Sequence, residues 1–178
     1  NRSRGRRFAG GRRPGRLKIA AMANLGPGDP MPDSTLAGPD GPTQLRDKIG
    51  KPLVVYFYPK DETYGCTKEA CSFRDLKPRL DVLGVVLLGV SKDSMKSHDK
   101  FIRDFGLPFV LLSDPDGQMM AAYGAYGEKT MYGKKTVGVI RSTVIVGPDG
   151  KVVKHWPKVA KAEAHPAEVV DFILREGL

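Results

Sequence analysis

The chain has two cysteines, Cys66 and Cys71, five residues apart. Cys66 follows the polar run Lys60-Asp61-Glu62-Thr63-Tyr64-Gly65. It opens a stretch, residues 66–80, in which Ala70, Phe73, Leu76 and Leu80 fall at the three- and four-residue steps of a helix. A cysteine at a helix start faces free backbone N–H groups and the positive end of the helix dipole, and both favour thiolate over thiol. A free cysteine, with a pKa of about 8.5, is mostly thiol at neutral pH, and helix N-termini and neighbouring cations lower that value. Cys66 therefore stands where a nucleophile can be made. The bland reading of an unpaired cysteine is a small buried hydrophobe, and for Cys71 taken alone that is the default.

Geometry constrains the pair. Five residues of helix mean a rise of about 7.5 Å and a net rotation of about 140°. The two Cα atoms then stand more than about 8 Å apart, whereas a disulfide needs them within about 7 Å. An intact helix forbids a Cys66–Cys71 bond, so any chemistry that joins them must unwind part of the helix. This separates the pair from C-x-x-C, whose sulfurs meet without rearrangement. The histidines His98, His155 and His165 show no metal-ligand spacing with either cysteine.

The elements around the cysteines suggest how they are held. Leu53-Val54-Val55-Tyr56-Phe57-Tyr58, ending at Pro59, is a buried central strand that feeds the cysteine loop. Val85–Val90 is a second buried strand, residues 94–105 a helix with Phe101, Ile102 and Phe105 on one face, and Phe109–Leu112 a third strand. A short helix follows over 118–123, and the Gly- and Lys-rich residues 124–138 read as a loop. Ser142–Val146 and Lys151–Trp156 flank Gly147-Pro148-Asp149-Gly150 as a hairpin. His165–Glu176 is a closing helix. Pro39-Asp40-Gly41-Pro42 is a turn that could join two short strands. The order βαβαβ, then ββ, then α predicts a single α/β domain with a mixed central sheet flanked by helices. A thioredoxin-like fold has this order, and on order alone a flavodoxin-like fold also fits. Phe57, Tyr58, Phe73 and Phe105 could wall the cysteine site, with core packing as their default, and Trp156 beside Pro157 is expected to pack.

At 178 residues and 40% hydrophobic content the chain suits one globular domain. No apolar run reaches the roughly 18 residues that span a bilayer, so no membrane partner is expected. The formal charge is +9, but residues 1–21 hold eight basic residues (Arg2, Arg4, Arg6, Arg7, Arg12, Arg13, Arg16 and Lys18) and no acid. Removing those eight leaves +1 for residues 22–178, so the basicity belongs to the leader and a nucleic-acid partner is not expected of the domain. Residues 1–23 read as a disordered basic leader and residues 24–178 as the domain. Met22 as the natural start, an organellar transit segment and an RNA- or DNA-contacting arm are three readings of the leader. Two cysteines this close are not a secreted disulfide framework, so a reducing compartment is expected, the cytoplasm or, if the leader is a transit segment, an organelle.

Pro59-x-x-x-Thr63-x-x-Cys66 is similar to the peroxiredoxin motif P-x-x-x-[ST]-x-x-C, and Gly65-Cys66-Thr67-Lys68-Glu69-Ala70-Cys71-Ser72-Phe73-Arg74-Asp75 resembles the peroxiredoxin Q, or bacterioferritin comigratory protein, subgroup. Arg141-Ser142-Thr143 stands before a late strand, where that family has its active-site arginine. The likeness runs from about Leu25 to the C-terminus. One departure is Tyr64, where members often have proline, and it could line the pocket mouth. The resemblance implies a thioredoxin-like thiol peroxidase. Cys66 would be the peroxidatic nucleophile and Cys71 the resolving thiol. Arg141 would favour the thiolate and the charge developing on peroxide oxygens. The Thr63 hydroxyl and the backbone of Gly65 and Cys66 would hydrogen-bond the peroxide, with Tyr58 and Tyr64 near the substrate. Pro59 would shield the thiolate, and Glu69 would orient Arg141; a solvated helix-surface charge is the bland reading of Glu69 and Arg74. The implied cycle passes through a sulfenic acid to an intramolecular disulfide, with thioredoxin or a similar dithiol as reductant. It needs no metal, haem or flavin, and the subgroup implies a monomer. The competing readings are a general thiol–disulfide oxidoreductase, disfavoured by the missing C-x-x-C, and a redox-sensing or nucleic-acid-binding module that uses the leader.

Overall fold

A computed structural model describes residues 25–178. The leader at residues 1–23 lies outside the described residues. The elements follow as β1 (Thr35–Gly38), β2 (Gly41–Gln44), a 3-10 turn (Leu45–Lys48), β3 (Leu53–Phe57), α1 (Tyr64–Val82), β4 (Val86–Ser91), α2 (Met95–Phe105), β5 (Val110–Ser113), α3 (Gln118–Ala122), β6 (Tyr126–Met131), β7 (Lys134–Val139), β8 (Ser142–Val146), β9 (Val152–Trp156) and α4 (His165–Glu176). Seven strands form one mixed sheet in the order β2-β1-β5-β4-β3-β8-β9. β3, β4 and β5 run parallel, while β8 is antiparallel to β3 and β9 to β8. This is the α/β, thioredoxin-like arrangement expected from the element order.

β3 shows why the sheet has two covered faces. All five of its residues are buried. Val54 and Tyr56, with Tyr58 just beyond the strand, pack with Phe73 of α1, Phe101 of α2 and Val169, Val170 and Ile173 of α4. Leu53, Val55 and Phe57 point the other way, into a layer with Met119 and Met120 of α3, Leu36 and Val152. A strand buried on both faces loses polar alternation and reads as a continuous apolar run. Phe57 therefore faces away from the helix that bears the cysteines and does not wall their site. At about 25 cal/mol per Å² of apolar surface, these two layers are the main stabilising term of the domain.

The register of β8 on β3 positions the site. Phe57 pairs with Ser142, so the chain enters β8 at the sheet end where it leaves β3. Arg141 thus lies beside the loop that leads from β3 to α1.

Residues 124–138, expected as a loop, instead hold the antiparallel pair β6–β7. Met131 pairs with Lys134 across a two-residue turn in which Tyr132 (φ 52°) and Gly133 (φ 76°) are both left-handed. That is the turn geometry that matches strand twist. The hairpin stands apart from the main sheet, and the residues of β7 from Lys134 to Val137 are exposed. Only its base, Val139 with Tyr126, packs on the core, so it lacks the apolar alternation that marks a strand in sequence. The expected Gly147–Gly150 turn is present, closed by Gly147 N–H to the Lys151 carbonyl at 2.8 Å. Among the described residues, no helix is long and apolar enough to cross a membrane.

Candidate active site

β3 ends at Phe57, and the loop from Tyr58 to Thr63 turns the chain into α1. Thr63 is the N-cap, with extended backbone (φ −73°, ψ 157°), and its carbonyl accepts from Thr67 N–H at 2.8 Å. Its side chain does not cap the helix; the hydroxyl donates back to the Lys60 carbonyl at 2.9 Å. Helix geometry leaves the first-turn amides of Tyr64, Gly65 and Cys66 without intrahelical partners, at the positive end of a 19-residue helix.

Cys66 is the third residue of α1 and is 1% exposed. Arg141 Nη2–H donates to its Sγ at 3.2 Å, and Arg141 Nη1–H donates to Glu69 Oε1 at 2.8 Å. Cys66 and Glu69 are three residues apart and share a helix face, so one guanidinium bridges both. The Arg141 backbone is itself fixed, its carbonyl accepting from Val159 N–H at 2.8 Å. Gly65 lets the guanidinium approach: a Cβ there would stand 3.2 Å from Nη2.

Glu69 is fully buried, and burial raises its pKa to about 7 although Arg141 pulls the other way. Burial opposes the charge on Arg141, but the charges of Glu69 and Cys66 and the hydrogen bonds to both outweigh it and hold the guanidinium protonated. Glu69 Oε2 has no hydrogen-bond partner among the described residues, and neither has the buried hydroxyl of Tyr56. Burial, then the charges of Glu69 and Cys66, raise the Tyr56 phenol well above its ordinary value and keep it neutral. A buried polar group without a partner costs about 1–3 kcal/mol. The site thus holds a permanent cation, the Arg141 guanidinium, on which Gly65, Cys66 and Glu69 converge, and a free helix N-terminus. Such an arrangement can hold a thiolate and a polar oxygen substrate beside it.

The other sequence candidates lie as follows. Cys71 is half-buried in the same unbroken helix, and both thiols are free. Pro59 is half-buried in the loop. Tyr58 is 1% exposed, in the same core cluster as Cys66, and its hydroxyl donates to Asp61 Oδ1 at 2.6 Å. Tyr64 is 82% exposed, with the Lys68 ammonium 5.6 Å from its ring centroid. Sequence reasoning missed Tyr56 near the charges of the site and a buried polar cluster, Asp61, Ser97 and His98, beneath the loop. For His98 a signal existed. It falls three and four residues before Phe101 and Ile102, on the apolar stripe of α2, where a histidine needs a buried partner.

The AhpC/TSA family profile matches residues 27–155. Peroxiredoxin Bcp of Bacillus subtilis is 42% identical over 144 residues, covering 80% of this chain and 91% of that protein. Peroxiredoxin Bcp of Xanthomonas campestris is 48% identical over 120 residues, covering 67% of this chain and 75% of that protein. Among solved structures, the Xanthomonas campestris bacterioferritin comigratory protein superposes with a TM-score of 0.75 at 42% identity, covering 82% of this chain and 92% of that one. A PrxQ mutant of Xylella fastidiosa reaches a TM-score of 0.79 at 34% identity, covering 87% and 99%. With the family profile and these relatives agreeing over most of its length, the chain belongs to the AhpC/TSA family, and its homologues there are the Bcp/PrxQ peroxiredoxins.

Proposed function

We propose that this protein is a thiol-dependent peroxidase that reduces hydrogen peroxide and organic hydroperoxides through Cys66. The observation that carries the reading is the Arg141 guanidinium 3.2 Å from Cys66 Sγ at the free N-terminus of α1. The Cys66 thiolate attacks the terminal peroxide oxygen. An S–O bond forms, the O–O bond breaks, and the alkoxide or hydroxide that leaves takes a proton from water. Arg141 and the first-turn amides stabilise the charge that moves from sulfur to the leaving oxygen. Thr63 and Gly65 flank the peroxide position, Pro59 limits solvent access, and Glu69 orients Arg141.

Cys66 is then a sulfenic acid. The first turns of α1 unwind, the Cys71 thiol attacks, water leaves, and a Cys66–Cys71 disulfide forms. A dithiol such as thioredoxin reduces it, becoming a disulfide itself. No resident metal or organic cofactor takes part. The Xanthomonas campestris structure is described in terms of alkyl peroxide reduction, which supports organic hydroperoxides as substrates here. The two-cysteine cycle works within one chain, which supports a monomer, and its dependence on a dithiol reductant supports a reducing compartment such as the cytoplasm.

The test is peroxide-dependent turnover with a thioredoxin reducing system. Cys66→Ser should be inactive. Cys71→Ser should consume about one equivalent of peroxide and then stall, as expected when the resolving thiol is missing. Wild type that ignores peroxide, or Cys66→Ser that turns over as fast as wild type, would refute the reading.

A further inference from the structure

The loop that carries Pro59 and Thr63 is held by a buried polar cluster that takes no part in the chemistry above. Asp61 is 6% exposed and His98 is 0% exposed. Asp61 Oδ1 accepts from the Tyr58 hydroxyl at 2.6 Å, and Oδ2 accepts from the Ser97 hydroxyl at 2.8 Å. His98 Nδ1 lies 2.7 Å from Oδ2, and Nε2 lies 3.0 Å from the Leu112 carbonyl. A carbonyl only accepts, so Nε2 is the donor to Leu112, and the short Nδ1–Oδ2 contact ties the ring to the Asp61 carboxyl. The Asp61 amide donates to Asp93 Oδ2 at 2.9 Å, and Asp93 also accepts from the Ser91 hydroxyl at 2.6 Å. Burial works against the ionised Asp61, yet the hydrogen bonds from His98 and Tyr58 hold its carboxyl below the ordinary value.

Every one of these partners outside the loop belongs to α2, to the ends of β4 and β5 or to the connection from β4 to α2. None belongs to α1. The next residue, Glu62, has a left-handed backbone (φ 60°) that a non-glycine residue adopts at a cost of about 1 kcal/mol. Its carboxylate meets Lys100 of α2 at 2.9 Å. The tied residue Asp61 thus directly precedes this left-handed residue, and Thr63, the N-cap of α1, directly follows it.

We infer that Asp61, through its buried bonds to His98, Ser97 and Tyr58, is a positioning residue for the attack of Cys66 on peroxide. It fixes the loop from the α2 side, so the loop keeps its shape while α1 unwinds to form the disulfide. This rests on the peroxidase reading. It separates two steps: attack needs the loop in place, whereas disulfide closure needs only the helix to open.

The experiment measures both steps by stopped flow at a temperature where circular dichroism shows each protein folded. Asp61→Ala should lower the second-order rate of Cys66 with hydrogen peroxide by about 10- to 100-fold, the scale set by small misplacements in active sites. Its rate of Cys66–Cys71 closure should stay within about twofold of wild type, because closure does not use the loop. Asp61→Asn, whose one oxygen still accepts from Tyr58 while its amide N–H can donate to the Ser97 hydroxyl oxygen or to His98 Nδ1, should recover most of the attack rate. Should Asp61→Ala not fold, Ser97→Ala decides: it removes one bond and should slow attack while sparing closure. Attack at the wild-type rate in a folded variant, or attack and closure slowed by one factor, would overturn the inference. Wild type inert to peroxide would instead overturn the peroxidase reading itself.

Discussion

Two segments meet at Thr63 and are built in opposite ways. On one side, residues 58–63 have almost no regular structure, yet Asp61 alone is tied by three side chains and by the carboxylate of Asp93. On the other side, the first turns of α1 are regular helix, but their side-chain polar ties are the two bonds to Arg141. Ala70 and Phe73 bury their apolar face, and Cys71 lies half-buried off it. The irregular segment is the one with more side-chain ties to the rest of the fold. The helix is the part able to yield, because its local hydrogen bonds re-form with water and few long-range bonds oppose opening. A two-step thiol cycle needs both: a fixed frame for attack and a helix that opens for resolution.

Arg141 offers the sharpest way to break the comparison, since it ties the yielding segment to the frame. Arg141→Ala removes the cation at the sulfur and should lower the rate of peroxide attack by about 10²- to 10³-fold, as loss of a preorganised donor does elsewhere. Disulfide closure should not slow, because the helix loses a tether. Arg141→Lys should recover little: a single ammonium cannot bond Sγ and Glu69 with the planar two-pronged geometry of the guanidinium. Stopped-flow rates for the two steps check this.

Glu69 tests the same tether through stability. Its folded pKa of about 7 lies above the ordinary 4.5. The folded state therefore holds a proton that the unfolded state has released between those values. The stabilisation is present in full below about pH 4.5 and is lost as pH rises through about 7. Each tenfold difference in proton affinity between the two states is worth about 1.4 kcal/mol, so the loss amounts to about 3 kcal/mol at most. Urea unfolding at pH 4.5 and pH 8 should show this loss in wild type and not in Glu69→Gln. His155 and His165, whose pKa values burial lowers, titrate alike in both proteins and cancel in the comparison.

The sequence made the tied and yielding parts legible to different degrees. β3, β4, β5, β8 and α4 stand out because burial on one or both faces imprints apolar runs or helical spacing. Cys66 stands out because its type and its place at a helix start carry chemistry. Arg141 needed the family resemblance, since nothing in the order of residues says that β8 pairs with β3 and delivers residue 141 to the loop. The frame was the least legible. Asp61 and Ser97 look like ordinary loop and helix-surface residues, and only the fold brings them together across more than 30 residues. The β6–β7 hairpin was missed for the related reason that an exposed ribbon leaves no hydrophobic pattern.

The smallest effect concerns where opening stops. Phe73 is fully buried, with its ring 4.6 Å from that of Tyr56. Arg74 Nη1–H donates to the Phe105 carbonyl at the end of α2, at 2.8 Å. Together they clamp α1 just beyond Cys71. Pro78 lies further along the same helix, where it lacks the N–H that would bond the Arg74 carbonyl. Pro78→Ala should stabilise the fold by about 2 kcal/mol, the helix gain of about 3 reduced by up to about 1 for the freer unfolded chain. It should leave the rate of Cys66–Cys71 closure unchanged, because unwinding confined to residues 66–72 never reaches it. Arg74→Ala, which opens the clamp, should speed closure instead. If Pro78→Ala slows closure in step with its gain in stability, the helix opens past the clamp, and the yielding segment is most of α1 rather than its first two turns.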